Sequence, residues 1–165
     1  MRFAYYQRLS PRQQSVYRVS DAIEALRIPD GAPLERAVAD IASALAAGDR
    51  VRTGNACQAL VDELARRFSV PPIRVAVLAR RPRLRDGDLH GLYEAEERGK
   101  PVRISVWMRT AHRRQVVAFR TFLRTLMHEF CHHLDYEFLK LPETFHTEGF
   151  YKRESSLMNQ LLPKA

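Results

Sequence analysis

A broad apolar stripe at helical spacing, within residues 114–138, constrains the fold more than any other feature of this sequence. The stripe consists of Val116, Phe119, Leu123, Leu126, Met127, Phe130 and Leu134. Apolar side chains that recur with the helical period occupy one face of an α-helix. Because this stripe is wide, the sequence predicts that the helix is central and buried.

The segment that precedes this helix has the two-residue period of β-strands. Alternating apolar residues predict a first strand over 73–78, a second over 89–96 and a third over 102–108. Turn-forming residues separate them at 85–88 and 97–101. Because short connections join strands that lie side by side, we expect a three-stranded antiparallel meander.

Helical periods flank these strands on both sides. Residues 1–70 contain three helical stretches and are expected to form an N-terminal helical unit, which Pro71-Pro72 ends. A last helix is expected from 144 or 145 to 162. The fold class is therefore α+β, with the helical unit followed by a second unit over 71–165. A chain of 165 residues fits one compact structure that contains both units.

The composition excludes several classes of protein. Hydrophobic residues make up 45% of the chain and charged residues 28%, which is typical of a globular protein. Two cysteines, Cys57 and Cys131, exclude a disulfide framework and favour a reducing cytoplasm. No apolar run approaches the roughly 20 residues that cross a bilayer, and residues 1–10 do not have the pattern of a signal peptide. We therefore expect a cytoplasmic protein with no membrane partner.

The central helix contains an H-E-x-x-H motif, His128-Glu129-Phe130-Cys131-His132. At 3.6 residues per turn, His128 and His132 lie one turn apart on the same face and can bind one Zn²⁺. Zinc lowers the pKa of a bound water to about 7. Glu129, displaced around the helix, can accept the proton of that water and act as general base. The motif therefore predicts a zinc-dependent metallopeptidase that hydrolyses protein or peptide substrates.

A catalytic zinc needs a third protein ligand. We favour His146, because a break in the chain at Leu141-Pro142 lets the next helix return against the central one. Glu148 and Glu154 are the alternatives.

Other residues near the motif are candidates for supporting roles. Asp135 lies one turn beyond His132 and can accept the second ring N–H of a ligating histidine, or it is an ordinary exposed carboxylate of the helix. Tyr151 or Arg153 can stabilise an oxyanion, although we favour a structural role for either. His133 lies off the metal face and is expected at the surface or behind the ligands. Three further residues are expected to take no part in the metal site: Cys131 in the core, His90 and His112.

The net charge of +8 is concentrated in one segment. Residues 74–124 contain 13 basic and 5 acidic side chains, and nearly all of the basic ones are arginine. Such a segment favours non-specific, salt-sensitive binding of DNA, or it is simply a set of solvated faces. The alternative function is therefore a basic, nucleic-acid-associated binding module whose zinc site is structural or vestigial.

Two further hypotheses concern the surroundings of the motif. The strand at 102–108 is a candidate edge strand that pairs with an extended peptide substrate. The N-terminal helical unit either recruits a partner or covers the active-site cleft as a lid.

Three segments together resemble the SprT-like zinc metallopeptidases, a family of small zincins. They are the strand segment with His90-Gly91-Leu92-Tyr93, the H-E-x-x-H helix, and His146-Thr147-Glu148-Gly149-Phe150. In that family the third histidine begins an H-x-x-x-F pattern, which maps onto His146 and Phe150. The resemblance covers residues 72–162 and implies a zincin-like fold with peptidase activity. It also implies that His128, His132 and His146 are ligands, that Glu129 is the base, and that DNA-associated proteins are possible substrates.

Overall fold

The computed structural model describes residues 1–80, 91–110 and 115–163, together with the backbone of 83–84 and 87–88. Its helices are a short 3-10 turn (Ala4–Arg8), α1 (Pro11–Ala22), α2 (Glu35–Ala46), α3 (Arg50–Phe68), α4 (Phe119–Glu137) and α5 (Glu148–Leu161). Its strands are β1 (Arg74–Arg80), β2 (Arg83–Leu84), β3 (Gly87–Asp88), β4 (Gly91–Glu94) and β5 (Arg103–Arg109). The α+β class predicted from the periodicity is confirmed.

The helix ends follow local capping chemistry. Ser10 and Gln13 form a capping box at the start of α1, with Pro11 in the first turn. The central helix α4 begins five residues later than the predicted start at 114. The cause is that residues before it continue the sheet: the Val117 N–H donates to the Met108 carbonyl at 2.7 Å. An extended chain paired with β5 cannot be helical at the same time.

The main sheet has the strand order β1-β5-β4 and is mixed. β1 runs parallel to β5, and β4 runs antiparallel to β5. The predicted antiparallel meander is therefore wrong. The reason for the difference lies in β5, which is buried on both faces. One face carries Ile104, Val106 and Met108, and the other carries Ser105 and Trp107. A strand buried on both faces belongs in the middle of a sheet, and turn residues alone do not specify which strand it pairs with.

The position of β5 also corrects the expectation of an edge strand at 102–108. β5 is paired on both sides, so its backbone cannot accept an added peptide strand. The edges of the three-stranded sheet are β1 and β4. Of these, β4 packs against α4, the helix with the histidines.

The core is continuous across the boundary at residue 70. Ile41 of α2 and Leu64 of α3 belong to the same buried cluster as Val106 of β5, Phe130 of α4 and Leu157 of α5. α1 packs against α5 rather than against α2 and α3. In the described ranges no helix combines the length and the apolar character needed to cross a membrane.

Candidate metal centre

Three histidine side chains converge at the surface of α4. His128 and His132 lie one turn apart on this helix, as the motif predicts, and His146 reaches them from the segment between α4 and α5. The Nε2 atom of His146 lies 3.1 Å from Nε2 of His128 and 3.1 Å from Nε2 of His132. The three side chains form a cluster that can hold a metal ion.

His146 lies just before a helix instead of inside one. α5 begins at Glu148, later than the predicted start at 144 or 145, and Thr147 caps it by accepting the N–H of Phe150 at 2.9 Å. The His146 ring then packs against Phe150, at 5.3 Å between ring centroids, and stacks on Tyr151 at 5.8 Å. The cap and these two rings orient the imidazole towards α4.

The two alternative ligands, Glu148 and Glu154, lie outside the histidine cluster. Glu148 is exposed and pairs with the amine of Met1 at 2.6 Å and with Lys152 at 3.5 Å. Glu154 is buried behind His128, whose Nδ1 atom lies 2.8 Å from Glu154 Oε2. Among the described residues, the candidate ligand set is therefore histidine alone, and Glu154 holds the ring of a candidate ligand from behind.

A second chain of hydrogen bonds supports His132. Its Nδ1 atom lies 2.8 Å from the hydroxyl of Thr144, which donates to Asp135 Oδ2 at 2.8 Å. Of the two roles expected for Asp135, the exposed carboxylate is wrong because its side chain is buried. Its contact with His132 runs through the hydroxyl of Thr144 instead of being direct. Asp135 also pairs with Arg153 at 3.0 Å, and both side chains are fully buried. Burial raises the pKa of Asp135, while Arg153 and the Thr144 hydroxyl oppose that rise.

The electrostatics favour the neutral form of the His132 and His146 imidazoles. Burial, with the neighbouring His128 and His146, lowers the pKa of His132 to about 3. Burial and His128 also lower the pKa of His146. A neutral ring nitrogen has a free lone pair, which is the form that binds a metal.

Glu129 lies beside the cluster and faces β4. Its side chain is only 7% exposed, and burial raises its pKa to about 7. The backbone N–H of Tyr93 donates to its carboxylate. A Cβ atom at Gly91 would lie 2.9 Å from Glu129 Oε1 and 2.8 Å from the methyl carbon of Thr125, so only glycine fits here without displacement. The close approach of β4 thus orients this carboxylate.

A cavity of about 640 Å³ opens in front of the histidines. Residues of 91–95 line one side, the exposed face of α4 lines the floor, and Tyr151 and Glu154 line the other side. Tyr151 is 42% exposed in this cleft. Arg153, its companion as a candidate for oxyanion stabilisation, is fully buried in the network of Asp135 and does not line the cleft.

The structure also places the other residues singled out in the sequence. His133 was expected at the surface or behind the ligands, and it is fully buried. Its Nε2 atom lies 2.8 Å from the Pro71 carbonyl and its Nδ1 atom 3.2 Å from the Tyr93 hydroxyl. Cys131 is buried in the core, as predicted, and both cysteines are free. His90 and His112 lie outside the described residues.

Sequence reasoning missed Thr144 and Tyr93. Thr144 was considered only as a start of the last helix, and its contact with His132 exists only after the chain reverses. Tyr93 was noticed only as part of a strand motif, although it stacks on His132 at 6.0 Å and supports Glu129 through its backbone.

Comparison with known proteins found no matching family model, no matching curated protein and no matching solved structure.

Proposed function

We propose that this chain is a zinc-dependent peptidase with His128, His132 and His146 as metal ligands and Glu129 as general base. The observation that carries the proposal is the convergence of three imidazole Nε2 atoms at a cleft, two of the separations being 3.1 Å, with a buried carboxylate beside them. The resemblance of the sequence to the SprT-like metallopeptidases predicts the same activity, and this membership stays a prediction.

The donor set supports zinc. Nitrogen ligands of a tetrahedral zinc lie about 3.3 Å apart, given Zn–N bonds of about 2.0–2.1 Å. The separations of 3.1 Å in the cluster differ from this by a few tenths of an ångström. Three neutral imidazoles and an open fourth side are typical of catalytic zinc, which polarises a carbonyl and promotes ionisation of water near neutral pH.

The residues around the cluster have separate roles in proton transfer and in holding the ligands. Glu129, held by the Tyr93 N–H, accepts a proton from the attacking water and returns it to the leaving amine. Glu154 and Thr144 hold the two ligand rings of α4 through their Nδ1 atoms. Tyr151 lines the cleft and stays the candidate for stabilising the oxyanion.

The edge of β4 is a surface on which an extended peptide can lie. Among the described strands, β4 pairs only with β5, and it borders the cleft opposite α5. Strand addition would place the backbone of the substrate across the histidines. This assigns to β4 the role that the sequence had suggested for the strand at 102–108.

Metal analysis of purified full-length protein tests the proposal. We expect one zinc per chain in the wild type, a large loss in His146→Ala, and full retention in Glu148→Ala, the matched control from the same segment. A wild-type protein that takes up no zinc, or a His146→Ala variant that keeps it at full stoichiometry, would contradict the proposed site.

A second candidate function is supported by arginines of the paired strands β1 and β5, which we call the arginine face. Arg74 is the register partner of Arg103, and Arg80 is that of Arg109. Arg103 pairs with Glu94 at 3.0 Å. Arg74 and Arg80 are exposed cations that a polyanion such as DNA can contact. This face supports the hypothesis of a DNA-associated protein, and it is compatible with peptidase activity.

Titration with duplex DNA at two salt concentrations tests the arginine face. Arg74 and Arg80 are exposed, so the double variant Arg74→Gln/Arg80→Gln is expected to weaken binding and to reduce its salt dependence. The double variant Arg36→Gln/Arg50→Gln removes the same charge from exposed positions near the starts of α2 and α3, and serves as control. Equal binding by the two double variants would exclude the face as the binding surface.

A further inference from the structure

The segment that carries His146 is held in place by the N-terminal part of the chain. The hydroxyl of Tyr5 donates to the backbone carbonyl of His146 at 2.7 Å. The ring of Tyr5 packs edge-on against Tyr17, at 5.7 Å between centroids, and Tyr17 is fully buried in α1. The bond therefore ties the peptide group of a candidate metal ligand to a half-buried tyrosine whose ring packs on a fully buried one.

The end of α1 also contacts the first turn of α5 directly. Asp21 Oδ1 accepts the N–H of Gly149 at 3.0 Å, and the hydroxyls of Ser20 and Thr147 lie 3.3 Å apart in a buried position. A Cβ atom at Gly149 would collide with the backbone carbonyl of Asp21, so the two helix ends meet backbone to backbone. His146, which immediately precedes this turn, has little freedom to shift.

The same end of α1 is linked to the second ligand through Arg153. The Arg153 guanidinium donates to the carbonyls of Ser20 and Ile23 at 2.5 Å and 2.7 Å, and so caps α1. It also donates to Asp135 Oδ1 at 3.0 Å, and Asp135 leads through Thr144 to His132. Two of the three histidines are thus connected to α1 by separate routes.

The N-terminal residues do not cover the cleft. None of the residues of 1–70 lines the cavity in front of the histidines. Tyr5 and Asp21 bond to the backbone of the segment that carries His146. Phe3 packs edge-on against Tyr151 of the cleft, at 6.1 Å between ring centroids. These contacts therefore do not support the hypothesis that the N-terminal helical unit is a lid over the cleft.

We propose that Tyr5 and the end of α1, residues 20–23, form a positioning element of the metal site, and that Tyr5 is the positioning residue for His146. This inference rests on the proposed function, because it assumes that His146 binds the metal. Residues that fix the orientation of a metal ligand from behind contribute substantially to metal affinity. The reason is that less conformational entropy is lost when the metal binds to ligands that are already ordered.

The zinc dissociation constant of the full-length chain tests this role, measured by competition with a chromophoric chelator. Tyr5→Phe removes the hydroxyl but keeps the ring contact with Tyr17, and we expect it to weaken zinc binding about tenfold. Tyr6→Phe is the matched control. The Tyr6 hydroxyl accepts from Arg18 at 2.6 Å and does not touch the His146 segment, so we expect wild-type affinity.

Thermal unfolding of the metal-free proteins separates positioning from stability. If Tyr5→Phe lowers the zinc affinity while both variants melt alike, the positioning role is supported. Equal zinc affinities for Tyr5→Phe and Tyr6→Phe, whether unchanged or reduced together, would overturn the inference and leave the metal site itself intact. A wild-type protein that binds no zinc would instead refute the proposed function, and the inference with it.

Discussion

Glu154 Oε2 lies 2.8 Å from His128 Nδ1, while the Nε2 atom of the same ring faces His146. A carboxylate in this position accepts the second ring N–H, sets the tautomer that leaves Nε2 unprotonated, and makes the imidazole a better ligand. The other oxygen of Glu154 accepts from Arg124 at 2.9 Å. The orientation of a histidine on α4 is therefore set by a side chain of α5.

Replacing Glu154 by glutamine is expected to weaken zinc binding about 10–100-fold. Glutamine has nearly the same shape, but it gives the His128 ring a neutral acceptor in place of a charged one. Chelator competition measures the effect. Glu148→Gln removes a carboxylate from the exposed side of the same helix and is expected to leave the affinity unchanged. Equal affinities for the two variants would show that Glu154 does not act through His128.

Glu129→Gln is expected to keep one zinc per chain and to lower kcat/KM for hydrolysis of an unfolded polypeptide about 10²–10⁴-fold. The reason is that glutamine fits the same space but cannot take up a proton. Hydrolysis of labelled casein together with metal analysis measures both properties. Hydrolysis at the wild-type rate by the zinc-loaded variant would refute the assignment of Glu129 as the base.

Thr144→Val is expected to lower zinc affinity about tenfold or more, since His132 loses the hydroxyl that lies between its Nδ1 atom and Asp135. Thr144→Ser keeps a hydroxyl there and should restore most of the affinity. Thr125→Val is the matched control on α4, because the Thr125 hydroxyl donates only to the backbone carbonyl of Thr121. A Thr144→Ser variant as weak as Thr144→Val would speak against the relay.

Two buried groups, His132 and Glu129, act in opposite directions on the pH dependence of the stability of the metal-free protein. His132 has a folded pKa of about 3, below its unfolded value, so the unfolded chain binds the extra proton and stability falls as the pH drops below about 6.5. Glu129 has a folded pKa of about 7, above its unfolded value of 4.5, so the folded chain binds the extra proton. Its contribution to stability rises as the pH drops from about 7 to 4.5.

Removing the titration of Glu129 should therefore reveal the effect of His132. From pH 7 to pH 5, we expect the metal-free Glu129→Gln variant to lose unfolding free energy relative to the wild type. The difference grows by at most about 1.4 kcal/mol per pH unit. Urea unfolding at pH 7, 6 and 5 measures it. Parallel pH profiles for the two proteins would show that the carboxyl of Glu129 titrates normally in the folded state.

The parts of the site that depend on local periodicity were predictable. The helical period places His128 and His132 on one face and Glu129 beside them, whatever packs around the helix. Ser10 followed by Pro11 and Gln13 specifies the start of α1 in the same way, because capping involves only neighbouring residues. Such features need no knowledge of the rest of the chain.

The strand order could not be obtained in this way. Turn residues indicate where a strand ends, but they do not specify its partner, and β1 pairs with β5 across an intervening segment that contains β4. The burial of Ser105 and Trp107 on the second face of β5 shows that this strand is central. That burial is seen in the structure and not in the sequence.

The sequence by itself determined the α+β class, the central helix and the two histidines and glutamate on it, since each follows from residues within a few turns of one another. Only the tertiary structure decided that His146 joins them while Glu148 faces solvent, that Thr144 connects His132 to Asp135, and that Tyr5 holds the His146 segment. These contacts join residues up to 141 positions apart. Their geometry comes from the packing of α1, α4 and α5, which no local pattern of side chains specifies.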